Sequence, residues 1–195
     1  TQDPDLRGPA QQALQFIVAA QHPGTGGWRY TPGEAGDTSV VGWQVMALKS
    51  GEMAGLEVPP ATLELARRWL ASAAGSAGSL GTFGYTGPGG SLAMTAEGLL
   101  CHQFLGCGQD DPQLAAGVRI LAANLPQQDR ETSYYWYYAT QVLYHVQGPA
   151  WEAWNQAMRD LVVRTQITQG PLAGTWDPRD QWEQAGGRLY ATCLR

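Results

Sequence analysis

The sequence predicts an all-α fold, a segment of an α/α toroid made of about four helical hairpins in inner and outer layers. Three observations predict it: a glycine-aromatic loop recurs, an amphipathic segment at helical spacing precedes each copy, and an almost uncharged segment follows it. A helix with one polar face keeps that face outward, whereas a helix without one is enclosed on all sides. Alternation of the two kinds therefore indicates two concentric layers.

The recurring loop is written three times, as GGWRYTPGEAGDTSVVGW at 26–43, GTFGYTGPGGSLAMTAEG at 81–98 and, more loosely, GTWDPRDQWEQAGGRLYAT at 174–192. Its spacing, 55 residues from Trp28 to Phe83, exceeds the roughly 34 residues of a tetratricopeptide superhelix, the second fold considered. We interpret Trp28, Phe83 and Trp176 as wedges between hairpins and Asp37 as the N-cap of the next helix. The alternative is that these loops form the rim of a ligand site.

The periodicity places the outer helices at about 5–21, 60–73, 111–125 and 150–167, and the inner helices at 38–50, 91–105 and 133–147. Outer segments repeat apolar residues at three- and four-residue steps, as Leu63, Ala66 and Leu70 do with Arg67 on the other face. The inner segments 38–48, 91–105 and 133–146 are nearly uncharged, and Glu97 alone carries a charge there. The fourth inner helix, around LYATCL, is expected to be cut short.

Composition limits the classes of partner. The net charge of −5 argues against nucleic acid, because phosphate binding needs a basic surface. Eight Trp and eight Tyr supply large apolar surface for a buried or concave interior. No run of about 18 apolar residues occurs, so we expect no transmembrane segment. The first residues, TQDPDLRG, lack a basic region and an apolar region, so we expect no signal peptide in this segment. The compartment is left open.

Two stretches, AAQHPGTGGWRY at 19–30 and RTQITQGPLAGTWDP at 164–178, resemble degenerate QW motifs of squalene and hopene cyclases. Over nearly its whole length the chain is similar to bacterial prenyltransferase and squalene oxidase repeat proteins of the terpenoid cyclase/protein prenyltransferase superfamily. The resemblance implies an α/α toroid, but residues 1–195 hold fewer hairpins than a closed ring of that kind. We therefore expect one repeat domain, a fragment of a larger chain, whose apolar flanks self-associate or pack against missing hairpins.

The resemblance implies a fold more directly than an activity. Class II cyclases protonate an alkene with an Asp-x-Asp-Asp acid, which is absent here; the nearest pair, Asp177 and Asp180, has the wrong spacing. In the thioester proteins of the superfamily a Gln stands three residues after the reactive Cys, but after Cys107 that place is taken by Asp110. The sequence thus supplies no catalytic residue and implies no cofactor.

A zinc site of the prenyltransferase kind is also not expected. That pattern joins Asp and Cys across a single residue, and no Asp-x-Cys occurs in the chain. Cys101, His102 and Cys107 are the possible ligands, but adjacent residues of a helix point about 100° apart. We therefore predict no metal, with Cys101 in the core, His102 partly solvated and Cys107 in a turn.

Candidate ligand-binding residues remain on the inner helices. Glu97, which aligns with Tyr190 in the fourth unit, either faces a hydrated cavity or is stabilised by free N–H groups at its helix start. A second group is a stripe at helical spacing within an aromatic-rich helix, namely Tyr134, Tyr138, Gln141 and His145. These side chains could stack on a small molecule, a glycan, an isoprenoid or a peptide. Ordinary core packing of the tyrosines is the alternative.

The functional expectation is a non-catalytic binding or interaction module with a concave, aromatic-lined inner face. The second hypothesis is an enzyme of the squalene-cyclase, prenyltransferase or glycan-lyase type whose catalytic residues lie partly outside this segment. Two facing carboxylates in the central cavity would favour the enzyme, because acid–base chemistry needs titratable groups at the reacting atoms.

Overall fold

The computed structural model describes residues 3–127 and 132–195, and these two ranges are all-helical. A short 3₁₀ turn, Pro4–Leu6, precedes eight α-helices: α1 Arg7–Ala20, α2 Thr38–Met53, α3 Pro60–Ala73, α4 Leu92–Phe104, α5 Pro112–Ala122, α6 Ser133–Val146, α7 Gly148–Thr165 and α8 Gln181–Cys193. Within the described ranges no strands form a sheet, and a single antiparallel bridge joins Ala74 to Phe83. The predicted all-α class is confirmed.

The even-numbered helices pack side by side in a row. α2 packs on α4 and α4 packs on α6, while the odd-numbered helices flank this row and contact the even helices next to them in sequence. Beyond α6, the chain after α8 contacts that helix, because the Arg195 guanidinium lies 5.4 Å from the centre of the Trp136 ring. The described helices therefore alternate between two layers, as the two kinds of helical pattern require.

The core lies between the two layers. Large apolar side chains from both of them are fully buried there, including Leu48, Leu70, Leu99, Leu121 and Trp154. Burial of one such side chain contributes about 1.5–3 kcal/mol, so this shared core is the main force that holds the hairpins together. The even helices have little polar surface because they are covered from several sides.

Helix boundaries differ from the predicted ones chiefly in two places. α2 continues to Met53 rather than ending near residue 50. α8 already begins at Gln181, in a stretch predicted to be loop, because Asp180 and Glu183 form a capping box at its start. α8 is kinked at Gly187, whose φ of 77° and ψ of −175° are not helical. The first part of α8 is thus an additional turn of helix inserted before the fourth inner helix.

The two tryptophan loops are attached to the preceding outer helix in the same way. The indole N–H of Trp28 donates to the Ile17 carbonyl at 2.7 Å, and that of Trp176 donates to the Val162 carbonyl at 2.9 Å. Both rings are buried. Asp37 caps α2, as its position in the loop predicted, by accepting from the Val40 N–H at 3.0 Å. These contacts set the direction in which each loop enters the inner helix.

Among the described residues, no helix combines the length and the hydropathy that crossing a bilayer requires.

Candidate functional site

A cavity of about 870 Å³ opens where the N-terminal ends of the even helices meet. All four even helices and two loops contribute to its lining, which consists of Tyr30, Ser39, Val40, Trp43, Tyr85, Ser91, Leu92, Ala93, Met94, Thr132, Tyr134, Tyr135, Trp182 and Tyr190. The first turns of these helices all contribute to the lining and form one concave surface. Its volume lies within the usual range of small-molecule pockets, about 300–1,000 Å³.

Aromatic rings form much of this surface and are arranged in contact with one another. Trp43 stacks on Tyr137 with ring centres 6.0 Å apart and meets the edge of Tyr138 at 6.1 Å. At the rim, the hydroxyls of Tyr30 and Tyr85 approach to 3.4 Å and join two successive loops. Trp43, at 44 % exposed, is solvent-accessible although it lies on an inner helix. A hydrophobic ligand could therefore cover a ring that is now in water.

Glu97 lies behind the cavity lining and is fully buried. Its Oε2 accepts a hydrogen bond of 2.9 Å from the Tyr134 hydroxyl, which connects it to a cavity-lining side chain. Its Oε1 has no hydrogen-bond donor among the described residues and packs against Gly42, where an added Cβ would clash with it. At the start of α4 the N-cap is Ser91, whose side chain accepts a hydrogen bond from the Met94 N–H. Glu97 is one turn further on and depends on Tyr134 instead.

The surroundings keep Glu97 protonated at neutral pH. Burial raises its pKa from 4.5 to about 8; the hydroxyls of Tyr134 and Tyr138 act in the opposite direction, and the negative charge of Asp37 adds to the rise. Burial and the nearby Glu97 likewise raise the pKa of both tyrosines above the ordinary value. The group is therefore a neutral network of one carboxylic acid and two phenols.

The structure brings together only part of the predicted stripe. Tyr134 and Tyr190 line the cavity, whereas Tyr138 is completely buried behind it. Gln141 is partly buried and donates to the Tyr137 carbonyl of its own helix. His145 is exposed near the C-terminal end of α6, with its ring beside Phe104 and Tyr144. α6 extends about 1.5 Å per residue, so His145 lies too far along it to share a small ligand with Tyr134.

The aromatic wedges lie outside the cavity lining. Trp28, Phe83 and Trp176 are buried and are absent from the described lining. The Phe83 ring packs against Gly98 on α4 and its backbone N–H donates to Thr95 Oγ1 at 3.3 Å. The loops nevertheless reach the rim, two residues further on, through Tyr30 and Tyr85. The first two loops thus each supply one buried anchor and one exposed rim tyrosine, whereas the Trp176 loop has no tyrosine at the corresponding position.

Carboxylates do not face each other across this cavity in the part of the chain that the structure describes. Its described lining contains neither acidic nor basic side chains. Asp37 is near enough to raise the pKa of Glu97, but its Oδ1 caps α2 and its Oδ2 lies 3.5 Å from Arg29 Nε. The arrangement is suited to bind an uncharged molecule more than to transfer protons between two carboxyl groups.

Sequence reasoning missed five aromatic members of the lining, Tyr30, Trp43, Tyr85, Tyr135 and Trp182. A signal for two of them was present, because Trp28-Arg-Tyr30 and Phe83-Gly-Tyr85 repeat one pattern in which the second aromatic is exposed. Trp43 lacked such a signal, since an apolar residue in an uncharged helix predicts burial. Trp182 depended on the extra helical turn of α8, which the loop pattern did not indicate.

No protein-family model matches the chain, and neither a characterised protein nor a solved structure resembles it closely enough to count as a match.

Proposed function

We propose that this chain is an α/α-toroid-type repeat domain that binds an uncharged, largely apolar small molecule of the isoprenoid kind without transforming it. The observation that carries the proposal is the aromatic cavity at the N-terminal ends of the even helices, whose described lining holds no charged side chain. A ligand that enters it exchanges water for aromatic and aliphatic surface, which favours apolar molecules at roughly 25 cal/mol for each Å² removed from water.

Charge supports an uncharged ligand. The nearest acid, Glu97, is neutral at pH 7 because its pKa is raised to about 8. The N-terminal ends of α2, α4 and α6 would attract an anion, but Asp37, Ser91 and Thr132 accept hydrogen bonds from the free N–H groups there. Without a described cationic side chain in the lining, a diphosphate group would remain without a counter-charge.

Polarity supports an isoprenoid over a glycan. A glycan site combines stacking rings with many hydrogen-bond partners for hydroxyl groups, because buried hydroxyls without partners are costly. Here the described lining has hydroxyl groups but no amide or charged side chain, and the hydroxyls of Ser39, Tyr134 and Tyr135 already donate to other protein groups. A flexible hydrocarbon chain needs no such partners and can follow the curved row of rings.

The binding experiment compares farnesol with farnesyl diphosphate, cellohexaose and a mixed peptide pool by equilibrium dialysis and thermal shift. We expect farnesol to bind and to raise Tm, since a ligand that binds the folded state stabilises it. We expect Trp43→Ala to weaken farnesol binding about tenfold, because an aromatic contact contributes about 0.5–1.5 kcal/mol beyond its area. Trp151→Ala is the control, because Trp151 lies on α7 away from the cavity.

Three results would reject the proposal. Preferential binding of farnesyl diphosphate would identify an anion site, and preferential binding of cellohexaose or peptide would identify a different ligand class. Equal loss of farnesol binding in Trp43→Ala and Trp151→Ala would show that the cavity is not where the ligand binds. Conversion of farnesol to a product would reject the non-catalytic role while leaving the ligand class intact.

A further inference from the structure

A second group of chemically reactive side chains lies at the other end of α4. His102 is in the last turn of α4, Cys107 is in the connection that follows, and Asp111 is the N-cap of α5. One ligand atom from each, an imidazole nitrogen, the thiol sulfur and a carboxylate oxygen, lies within 4.8 Å of the other two. None of the three lines the aromatic cavity, so this cluster is separate from the proposed binding site.

The donor atoms have few other partners. His102 Nε2 is buried and makes no hydrogen bond among the described residues; the nearest carboxylate oxygen, Asp111 Oδ1, is 3.4 Å away. Asp111 Oδ1 accepts the N–H groups of Gln113 and Leu114 at the start of α5, which leaves its second oxygen for another partner. The Cys107 thiol donates to the neighbouring Gly108 carbonyl at 3.3 Å and also interacts with the Asp111 carboxylate.

Three donors of this composition suit one class of ion. Imidazole, thiolate and carboxylate together are ligands of zinc, which is bound at about 2.0–2.3 Å in a tetrahedral arrangement. Atoms that lie within 4.8 Å of one another can all reach such an ion after side-chain rotations, because two of them are in or beside a turn. Three protein ligands also leave one coordination position, the pattern of zinc sites that bind water or a ligand.

A pocket adjoins that remaining position. His102, Cys107 and Asp111 all line a cavity of about 370 Å³ whose other walls include Phe83 and Arg67. Arg67 is held at this wall by donating from Nε and Nη2 to the Leu105 carbonyl at 3.0 and 2.7 Å. A bound ion would therefore have an accessible position next to a fixed positive charge, where a water or a small anion could bind.

We propose that His102, Cys107 and Asp111 form a zinc site at the junction of α4 and α5. The sequence predicts no metal because it considers Cys101, His102 and Cys107 as the possible ligands. Cys101 is buried in the core and is not part of the cluster. The fold brings Asp111, the N-cap of α5, to this cluster in place of Cys101. The competing explanation is a simple ion pair between protonated His102 and Asp111, with Cys107 as a spectator.

The test is titration of the chelator-treated chain with Zn²⁺ by calorimetry, and with Co²⁺ by absorption spectroscopy. We expect one ion per chain, a thiolate-to-cobalt charge-transfer band and a rise in Tm with Zn²⁺. Cys107→Ser, His102→Gln and Asp111→Asn should each weaken binding by more than about tenfold, the loss that even outer-shell changes produce. Asp111→Asn preserves a good N-cap, so its loss of binding would not reflect a loss of α5.

Cys193→Ser is the control, because Cys193 is an exposed free thiol elsewhere on the chain and should leave the affinity unchanged. Absence of stoichiometric binding would overturn the proposal in favour of the His102–Asp111 ion pair. Binding without the charge-transfer band, or unchanged binding in Cys107→Ser, would also overturn it, since the thiolate would then not be a ligand. If Cys101→Ala lost binding while Cys107→Ser retained it, the thiolate ligand would be Cys101 and the proposed site would be wrong.

Discussion

The protonation state of Glu97 is determined by the residues that surround it. It is fully buried, and its one hydrogen bond among the described contacts comes from the Tyr134 hydroxyl. A buried ionised carboxylate with so few donors would be costly, so the group keeps its proton and its pKa rises to about 8. The carboxylic acid then behaves as a neutral member of the core that can still exchange a hydrogen bond with the cavity wall.

The first prediction concerns the pH dependence of stability. Because the pKa of Glu97 is about 8 in the folded chain against an ordinary value of 4.5, the folded state holds an extra proton between these two pH values. The free energy of unfolding should therefore fall as pH rises through this window, by up to about 1.4 kcal/mol per pH unit. In Glu97→Gln, which cannot ionise, this part of the slope should vanish.

Urea denaturation at intervals between about pH 4 and about pH 9, which brackets this window, measures the effect. Glu64→Gln is the control, because Glu64 is an exposed carboxylate on α3 and its replacement should leave the slope unchanged. Equal slopes in the unmodified chain and in Glu97→Gln would show that Glu97 is already ionised in the folded state.

The second prediction concerns the two kinds of tryptophan. Trp28 is 2 % exposed and hydrogen-bonded to α1, so Trp28→Ala should leave a void and lower the free energy of unfolding by about 3–5 kcal/mol. Asp37→Ala should cost about 1 kcal/mol through the lost cap. Trp43→Ala should cost less than Trp28→Ala, because Trp43 is 44 % exposed. Chemical denaturation of the three variants compares them directly.

If Trp28→Ala lowered the free energy of unfolding only slightly and Trp43→Ala lowered it strongly, our assignment would be reversed: Trp43 would be the structural residue and Trp28 the ligand contact. Tyr138→Ala, which the sequence suggested as the ligand-site variant, does not serve this purpose. Tyr138 is completely buried, so its truncation would also open a cavity and lower stability.

Residue roles were predictable where a local rule determines them. Asp37 follows a glycine-rich loop and precedes an apolar run, a pattern that specifies an N-cap within a few residues of sequence. The position of Tyr138 was not predictable in this way. Periodicity assigns Tyr134 and Tyr138 to one face of α6, but which turn of that face meets a cavity depends on where neighbouring helices start.

At the level of elements, two residues adopt almost the same unusual backbone conformation. Gly187 within α8 has φ 77° and ψ −175°, and Gln147 between α6 and α7 has φ 63° and ψ −168°. This region of positive φ with ψ near 180° is accessible to glycine and costs other residues about 1–3 kcal/mol. The α6–α7 connection is therefore strained at Gln147, whereas the kink in α8 is not strained at Gly187.

The third prediction uses this pair. Gln147→Gly should raise Tm by relieving strain, and Gly187→Ala should lower it by introducing the strain, with opposite changes of about 1 kcal/mol or more. Gly8→Ala is the control, because Gly8 lies in α1 with open space at its Cβ position and should be neutral or slightly stabilising. Calorimetry of the three variants tests the signs. A stabilising Gly187→Ala would mean that α8 is continuous in solution.

The kink explains why the start of α8 was not predicted. The third copy of the loop has the expected glycines, but Asp180 and Glu183 form a capping box inside it and start a helix early. Glu183 also forms an ion pair with Arg195 at 2.7 Å, with both side chains nearly inaccessible, and that contact ties the first part of α8 to the chain that follows the helix. Loop similarity therefore predicted the inner helix around Tyr190 but not the turn that places Trp182 at the cavity.

On the scale of the whole chain, the alternation of amphipathic and uncharged segments was sufficient to predict the helices and their two layers. This works because the charge pattern of each segment reports directly how many of its sides are covered. The metal-ligand cluster was not predictable by the same route. Its residues come from a helix end, a connection and a cap, and only the packing of α4 against α5 brings Asp111 to His102.

The last prediction concerns association between copies of the chain. Exposed apolar side chains occur on the first helix and on the last two helices, notably Phe16 on α1, Val163 on α7 and Leu189 on α8. A monomer rarely leaves a contiguous apolar patch larger than a few hundred Å² in water, so we expect these end hairpins to pack against other copies. Sedimentation velocity should then show a sedimentation coefficient that rises with protein concentration.

Two substitutions separate association from folding. Val163→Glu combined with Leu189→Lys should reduce association while changing stability by less than about 0.5 kcal/mol for each site, since both side chains are exposed. Leu80→Glu, which replaces an exposed apolar residue in the connection between α3 and α4, should leave association unchanged because it lies outside both end hairpins. A single compact species at every concentration would contradict the prediction, and the exposed side chains would then be tolerated in a stable monomer.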